Sequence, residues 1–305
     1  MSAHDHHGHA TAARTHRARL IAALAIGVGV LACEVVGAMW SGSLALLADA
    51  GHLLADVGGI GLALFAVTMA QRPATAHRTF GYQRFEILAA VLNALLLLAV
   101  GAYIAVEAVR HLLAPPETQP GIVVAFGLVA IAGNGVSVWL LRGAQRDSLN
   151  MRGAFLEAMA DLLGAVAVVV SAAVVALTGF QRADAIAALL IGALVVPRTV
   201  ALLRQGVHIL MEAAPEGLDL AEVRDHILDV PGVVGVHDLH AWTITSGAPM
   251  LSAHVVVDDQ QVQSGRGGDV LDELQSCLEA DFAVTHTTFQ IEPTAHTSHE
   301  VGGHA

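Results

Sequence analysis

Charge and cysteine are both scarce in this chain. Of its 305 residues only 14% are Asp, Glu, Lys or Arg, against about 25% in an average soluble domain. With 55% hydrophobic residues and a mean hydropathy of +0.62, that deficit excludes an ordinary soluble globule and points to a polytopic membrane protein. There are two cysteines, Cys33 in an apolar run and Cys277 in the polar C-terminal part, so no disulfide is expected. No CxxC is present, which excludes a cysteine-based zinc cluster. The phosphate-loop pattern GxxxxGK[ST] is missing, so ATP is not the expected energy source. HExxH is missing too, which argues against an intramembrane metalloprotease and, with it, against an enzyme. No small-residue cleavage pattern follows the first apolar run, which at about 20 residues is too long for a signal peptide.

What charge there is lies unevenly. From Glu212 onward there are 16 acids against two arginines, whereas the first 211 residues hold 11 acids against 13 arginines. An acidic soluble part with no basic patch excludes nucleic acid as a partner. It suits cations, although plain solubility accounts for it as well.

Six apolar runs stand out, at 20–40, 44–70, 85–113, 121–141, 153–178 and 183–211. Each supplies the ~20 residues that a helix needs to cross a ~30 Å hydrocarbon core. Arginines cluster in alternate segments: Arg14, Arg17 and Arg19; Arg72, Arg78 and Arg84; Arg142, Arg146 and Arg152; and Arg204. The intervening loops hold only Arg182, so by the positive-inside rule both termini face the cytoplasm of a cell whose bounding (inner or plasma) membrane holds the protein. Beyond Glu212 the pattern becomes αββαβ: a helix at 219–229 capped by Asp219, strands at 234–244 and 250–257, a helix at 269–281 and a strand at 284–292. The expected domains are a His-rich tail (1–19), an all-α six-helix transmembrane domain (20–211), a small cytoplasmic α+β domain (212–293) and a His-containing tail (294–305).

The chemistry lies in the acids of the apolar runs. A carboxylate at a helix centre costs about 2.5–3.5 kcal/mol to insert into a bilayer. Residues that bear this cost rarely face lipid and mark ion paths or proton relays. His52 and Asp56 in the second run are spaced i, i+4, as are Glu157 and Asp161 in the fifth, so each pair projects from one helix face. Asp49 is one turn before His52 on roughly the same face and is read as supporting. One nitrogen and three oxygens from two facing helices suffice for four-coordinate zinc. Helix–helix hydrogen bonding explains one buried carboxylate more easily than two such pairs. Glu34, Asn93 and Asn134 are read as packing or hydrogen-bonding residues, and Glu107 with Arg110 as an ion pair near a helix end. Because metal ligands must be deprotonated, such a site exchanges metal for protons. Imidazole, which titrates near pH 6.5, suits that exchange. The same oxygens would also serve other first-row ions such as Co²⁺, and the expected activity is proton-coupled secondary antiport of a divalent cation. A channel with pH-independent flux and a metal sensor without transport are the alternatives.

Three stretches, Ser43 to Asp56 (SLALLADAGHLLAD), Thr79 to Ala90 (TFGYQRFEILAA) and Leu149 to Asp161 (LNMRGAFLEAMAD), resemble the cation diffusion facilitator family. Val236 to Trp242 (VHDLHAW) and Leu251 to Val255 (LSAHV) are similar to that family's tail domain. The resemblance covers residues 20–293. It implies a homodimer with a metallochaperone-like (ferredoxin-like) cytoplasmic domain, exporting Zn²⁺, and often Cd²⁺ or Co²⁺, in exchange for H⁺. It implies transport ligands at His52, Asp56, Glu157 and Asp161. Many zinc members have His where this chain has Glu157, and the extra carboxylate widens the expected range towards cobalt.

Histidines outside the membrane form further candidate sites. His4, His6, His7, His9 and His16 make a flexible tail suited to loose metal capture, and His296, His299 and His304 a weaker one. His77 lies in the loop between runs two and three, where relatives can bind a second metal. His237, His240, His254, His286 and Glu292 fall on the expected strands as a cytoplasmic metal site, with His286 and Glu292 on one face. His111, His208 and His226 are given no role.

Overall fold

A computed structural model describes residues 6–143, 149–245, 247–260 and 265–296. Six long helices, α1 (His6–Ser41), α2 (Leu44–Ala70), α3 (Phe85–Leu113), α4 (Pro120–Arg142), α5 (Leu149–Thr178) and α6 (Arg182–Leu210), contain the six apolar runs. All six are long and apolar enough to cross a membrane, and the chain is a multi-pass membrane protein. Helix α1 already runs from His6, where the composition points to a flexible tail. Ala10, Ala12, Ala13 and Ala18 continue it, and alanine is the strongest helix former. At the other end the turn into α2 uses Gly42 at φ +69, a left-handed conformation that glycine adopts without a Cβ penalty. Pro115 and Pro116 follow the end of α3, and Pro120 opens α4, where its missing N–H is not needed.

Large apolar side chains on the outside, among them Trp40, Trp139, Leu177 and Leu194, are 65%, 68%, 86% and 79% exposed. Such a surface matches lipid rather than water. Inside, small residues let helices approach: at Gly133 of α4 a methyl group would overlap Val30 of α1.

The chain divides into two compact units, Met1–Leu64 with Leu92–Leu203, and Phe65–Val91 with Arg204–Ala305. In the first, one carboxylate ties α6 to the start of α2. Asp184 is 4% exposed and accepts hydrogen bonds from Ser43 Oγ (2.5 Å), Leu44 N (2.6 Å) and Ala45 N (3.3 Å). It thereby satisfies two of the four backbone donors that a helix N-terminus leaves open. Close by in sequence, Gln119 N donates to Ser41 O and Thr118 Oγ1 to Gln181 Oε1.

The second unit contains the C-terminal domain, in the order α7 (Leu220–Leu228), β1 (Val233–Thr243), β2 (Pro249–Val257), α8 (Gly267–Phe282) and β3 (His286–Pro293). This is the αββαβ order expected from the sequence, and Asp219 caps α7 through Ala221 N at 2.8 Å. The sheet runs β1-β2-β3, with β1 and β2 antiparallel and β2 and β3 parallel. The parallel pair needs a crossover, and α8 supplies it. Leu251, Ala253, Val255 and Val257 of β2 pack with Val223 and Ile227 of α7 and Leu274 and Leu278 of α8. By strand alternation the other face carries His254, Val256, Gln290 and Glu292. Within the same unit Arg84 pairs with Glu212 at 2.7 Å, and Thr245 donates to Glu86 at the start of α3.

Candidate metal centres

Two groups of metal-capable side chains converge among the described residues, one in each unit. The first joins α2 to α5. His52 Nε2 lies 3.4 Å from Asp56 Oδ2 and 3.5 Å from Asp161 Oδ1. The i, i+4 spacing on α2 sets the first distance, and packing of α5 against that face sets the second. Both carboxylate oxygens are buried and lack a hydrogen-bond partner among the described residues, as does His52 Nδ1. In a bilayer, ionised oxygens without donors are costly unless a cation satisfies them. The three ligand atoms all lie within 4.8 Å of one another, close enough to share one ion.

Of the other expected ligands, Asp49 is 3% exposed and lies outside the group of three, packed where Gly164 of α5 leaves no room for a Cβ. Beside it is Glu34 of α1, 1% exposed. Glu157 also lies outside the group. Its Oε1 accepts a hydrogen bond from Arg198 Nη2 of α6 at 3.0 Å. Neither Glu34 as a neighbour of the site nor Arg198 is expected from the sequence reading. The available signal was a charged residue inside an apolar run, and for Arg198 its position directly after Pro197.

The second group lies on the open face of the small sheet. Glu292 is 2% exposed. Its Oε1 lies 2.9 Å from His254 Nδ1 and its Oε2 3.3 Å from His237 Nε2. Gln290 Nε2 donates to Oε1 at 2.7 Å, and Asp238 Oδ2 lies 3.2 Å from His237 Nδ1. The sheet register explains the convergence: His237 pairs with His254, and Glu292 sits one pleat along β3 from Gln290, the partner of His254. A bulge between His237 and His240, with Asp238 at φ +48, then shifts the register so that His240 opposes Ser252. His240 is half exposed and 4.0 Å from Asp238, outside the group, as are exposed His286 and His77. His4, His299 and His304 lie outside the described residues, as do the side chains of His6, His7, His9 and His16. His296 is exposed.

Six apolar helices of membrane-spanning length, with an imidazole and two carboxylates gathered within 4.8 Å of one another, suit a membrane protein that handles divalent cations. The family of cation efflux transmembrane domains matches residues 20–211, and that of the cation efflux protein cytoplasmic domain matches residues 215–294. The chain belongs to the cation efflux, or cation diffusion facilitator, family of transporters. It is 43% identical to the metal cation efflux system protein CzcD of Cupriavidus metallidurans, over 95% of this chain and 89% of that one. It is 36% identical to the cadmium, cobalt and zinc/H(+)-K(+) antiporter of Bacillus subtilis, over 88% and 86%. It is 35% identical to the zinc transporter ZitB of Escherichia coli, over 94% and 93%. Among solved structures, the metal-bound C-terminal domain of the CzcD transporter from Cuprividus metallidurans aligns at 45% identity with a TM-score of 0.23. That alignment covers 25% of this chain and 99% of that one.

Proposed function

We propose that this protein exports Zn²⁺, with Cd²⁺ and Co²⁺ as further cargo, from the cytoplasm in exchange for protons. His52, Asp56 and Asp161 are the core of the transport site, and Glu157 is its fourth ligand once cargo arrives. Asp49 supports the site from one turn away. The observation that carries this reading is the pair of buried oxygens of Asp56 and Asp161, without a hydrogen-bond partner among the described residues, gathered around His52 Nε2 at 3.4 and 3.5 Å. The names of the relatives support the cargo class and the antiport.

The chemistry follows from the donors. Carboxylates and imidazole bind a dication only when deprotonated, so loading expels protons and protonation from the far side expels the metal. The exchange is also electrically sensible. Moving a +2 charge outward against 100 mV costs about 4.6 kcal/mol, and each proton moving inward returns about 2.3 kcal/mol. The C-terminal group of His237, His254 and Glu292 holds a regulatory metal. An ion there would replace the contacts that Glu292 now makes with both imidazoles. The protein acts as a homodimer in the cell membrane with both termini in the cytoplasm. The arginine distribution supports that orientation, and the match to the cytoplasmic-domain family supports the dimer.

The test is Zn²⁺, Cd²⁺, Co²⁺ and Mn²⁺ uptake into proteoliposomes with an imposed pH gradient. Concentrative Zn²⁺ uptake that vanishes when a protonophore collapses the gradient is the expected result. Uptake that persists unchanged rules out proton exchange.

A further inference from the structure

A guanidinium sits where a cargo ion would have to compete with it. Arg198 lies inside the apolar helix α6, directly after Pro197, whose ring removes a backbone hydrogen bond and loosens the helix there. A charged residue at such a place needs a partner or water, and Arg198 has found Glu157, which like Asp49 does not join His52, Asp56 and Asp161. Its side chain is 69% exposed and that of Glu157 36%, so neither is locked by packing. In water such a pair would be worth little. A pair held this loosely is one that an arriving dication can break. The positive charge also acts on Asp56 and Asp161, which places it within electrostatic range of the whole site.

We propose that Arg198 is a tethered competitor of the cargo: its guanidinium holds Glu157 out of the metal-free site, and an arriving dication must take Glu157 from it. This rests on the reading of His52, Asp56, Glu157 and Asp161 as the transport ligands. The competition weakens binding and speeds release, because Arg198 is at hand to reclaim Glu157 as the ion leaves. Arg198 is thus a positioning residue for Glu157 and a determinant of how tightly the site grips its load. Ions that depend least on the fourth ligand are handicapped least, so the pair also bears on selectivity.

The test is the concentration dependence of Zn²⁺ uptake in proteoliposomes holding the full chain. With Arg198→Gln the competitor is gone. Breaking a coupled charge pair shifts an equilibrium by about tenfold, so KM for Zn²⁺ falls by that factor while kcat also falls, because release slows. Arg198→Lys keeps the charge but not the fork, and its KM stays near wild type. With Glu157→Gln in the background, Arg198→Gln has no further effect. Arg198→Met, which keeps the apolar stem, takes its place if Arg198→Gln is not recovered folded. An unchanged or raised KM in the folded neutral variants overturns the proposal, as does a full effect of Arg198→Gln in the Glu157→Gln background. Asp161→Ala separates the two layers: if it transports like wild type, the transport site itself has been misplaced. If it is silent while Arg198→Gln matches wild type, only the competitor falls.

Discussion

Asp161→Asn keeps the shape of a side chain at the centre of the proposed transport site and removes its charge, and two consequences of opposite sign follow. Asp161 Oδ1 is buried, lacks a hydrogen-bond donor and stands 3.5 Å from His52 Nε2. For metal, an amide oxygen is a poor substitute for a carboxylate. Removing a group that merely orients a ligand costs 10–100-fold in affinity, so removing the ligand's charge costs at least about 100-fold, or about 2.7 kcal/mol. For the metal-free fold the change is favourable. A carboxylate at mid-membrane costs about 2.5–3.5 kcal/mol to insert, and His52 relieves only part of that here, so about 1–2 kcal/mol of stability is recovered. In a chain of this size each kcal/mol is worth about 2–4 °C.

The assay pairs two measurements on the same preparation: Zn²⁺ uptake in proteoliposomes, and the melting temperature of the full chain with chelator and with excess Zn²⁺. The expected outcome is a KM raised at least about 100-fold, a chelated melting temperature a few degrees above wild type, and a smaller Zn²⁺-induced stabilisation, since binding stabilises only in proportion to affinity. A variant with near-normal KM refutes the ligand assignment. A variant that loses uptake but also melts lower in chelator refutes the reasoning in another way, because the carboxylate would then be structural.

Three further changes test other parts of the molecule. Asp184→Ala strips Ser43 Oγ, Leu44 N and Ala45 N of their shared acceptor. It should cost about 1–3 kcal/mol, read as a lower melting temperature, and Asp184→Asn should recover part of it. Gly164→Ala drives a methyl group into the Asp49 carboxylate and should cost about 1–3 kcal/mol, while Gly192→Ala, with open space around it, should be near neutral in the same melting assay. Glu292→Gln removes the charge between His237 and His254. It should weaken Zn²⁺ binding to the C-terminal group at least about tenfold by equilibrium dialysis, yet leave Zn²⁺ uptake through an intact membrane site measurable.

The spans were legible because a bilayer imposes a simple requirement, about twenty apolar residues in a row. Five of the six helices begin and end within a few residues of the apolar runs. The domain order was legible for a similar reason, since Asp219, Pro231, Gly232 and the valine-rich stretch at 253–257 each mark one local boundary. The C-terminal metal group was only half legible. Alternation correctly puts Glu292 and His286 on one face, but nothing local says that Glu292 reaches the row of His254 while His286 lies along β3 at Met250. The bulge that separates His240 from His237 depends on a single left-handed residue, Asp238, which carries no glycine to announce it.

Glu157 shows where periodicity stops. The i, i+4 rule puts Glu157 and Asp161 on one side of α5, and both do point towards the same part of the bundle. Which partner each takes depends on what the neighbouring helices offer. Asp161 meets an imidazole and no other donor, so its oxygen stays available to an ion. Glu157, one turn nearer the start of α5, meets a guanidinium that is already a cation. On the proposed competition, removing Arg198 leaves Glu157 as one more oxygen free to take the ion, so the site binds its load more tightly and releases it more slowly. A carrier gains nothing from affinity it cannot undo. An internal cation at the fourth ligand is a direct way to keep the loaded and empty states within reach of a modest proton gradient.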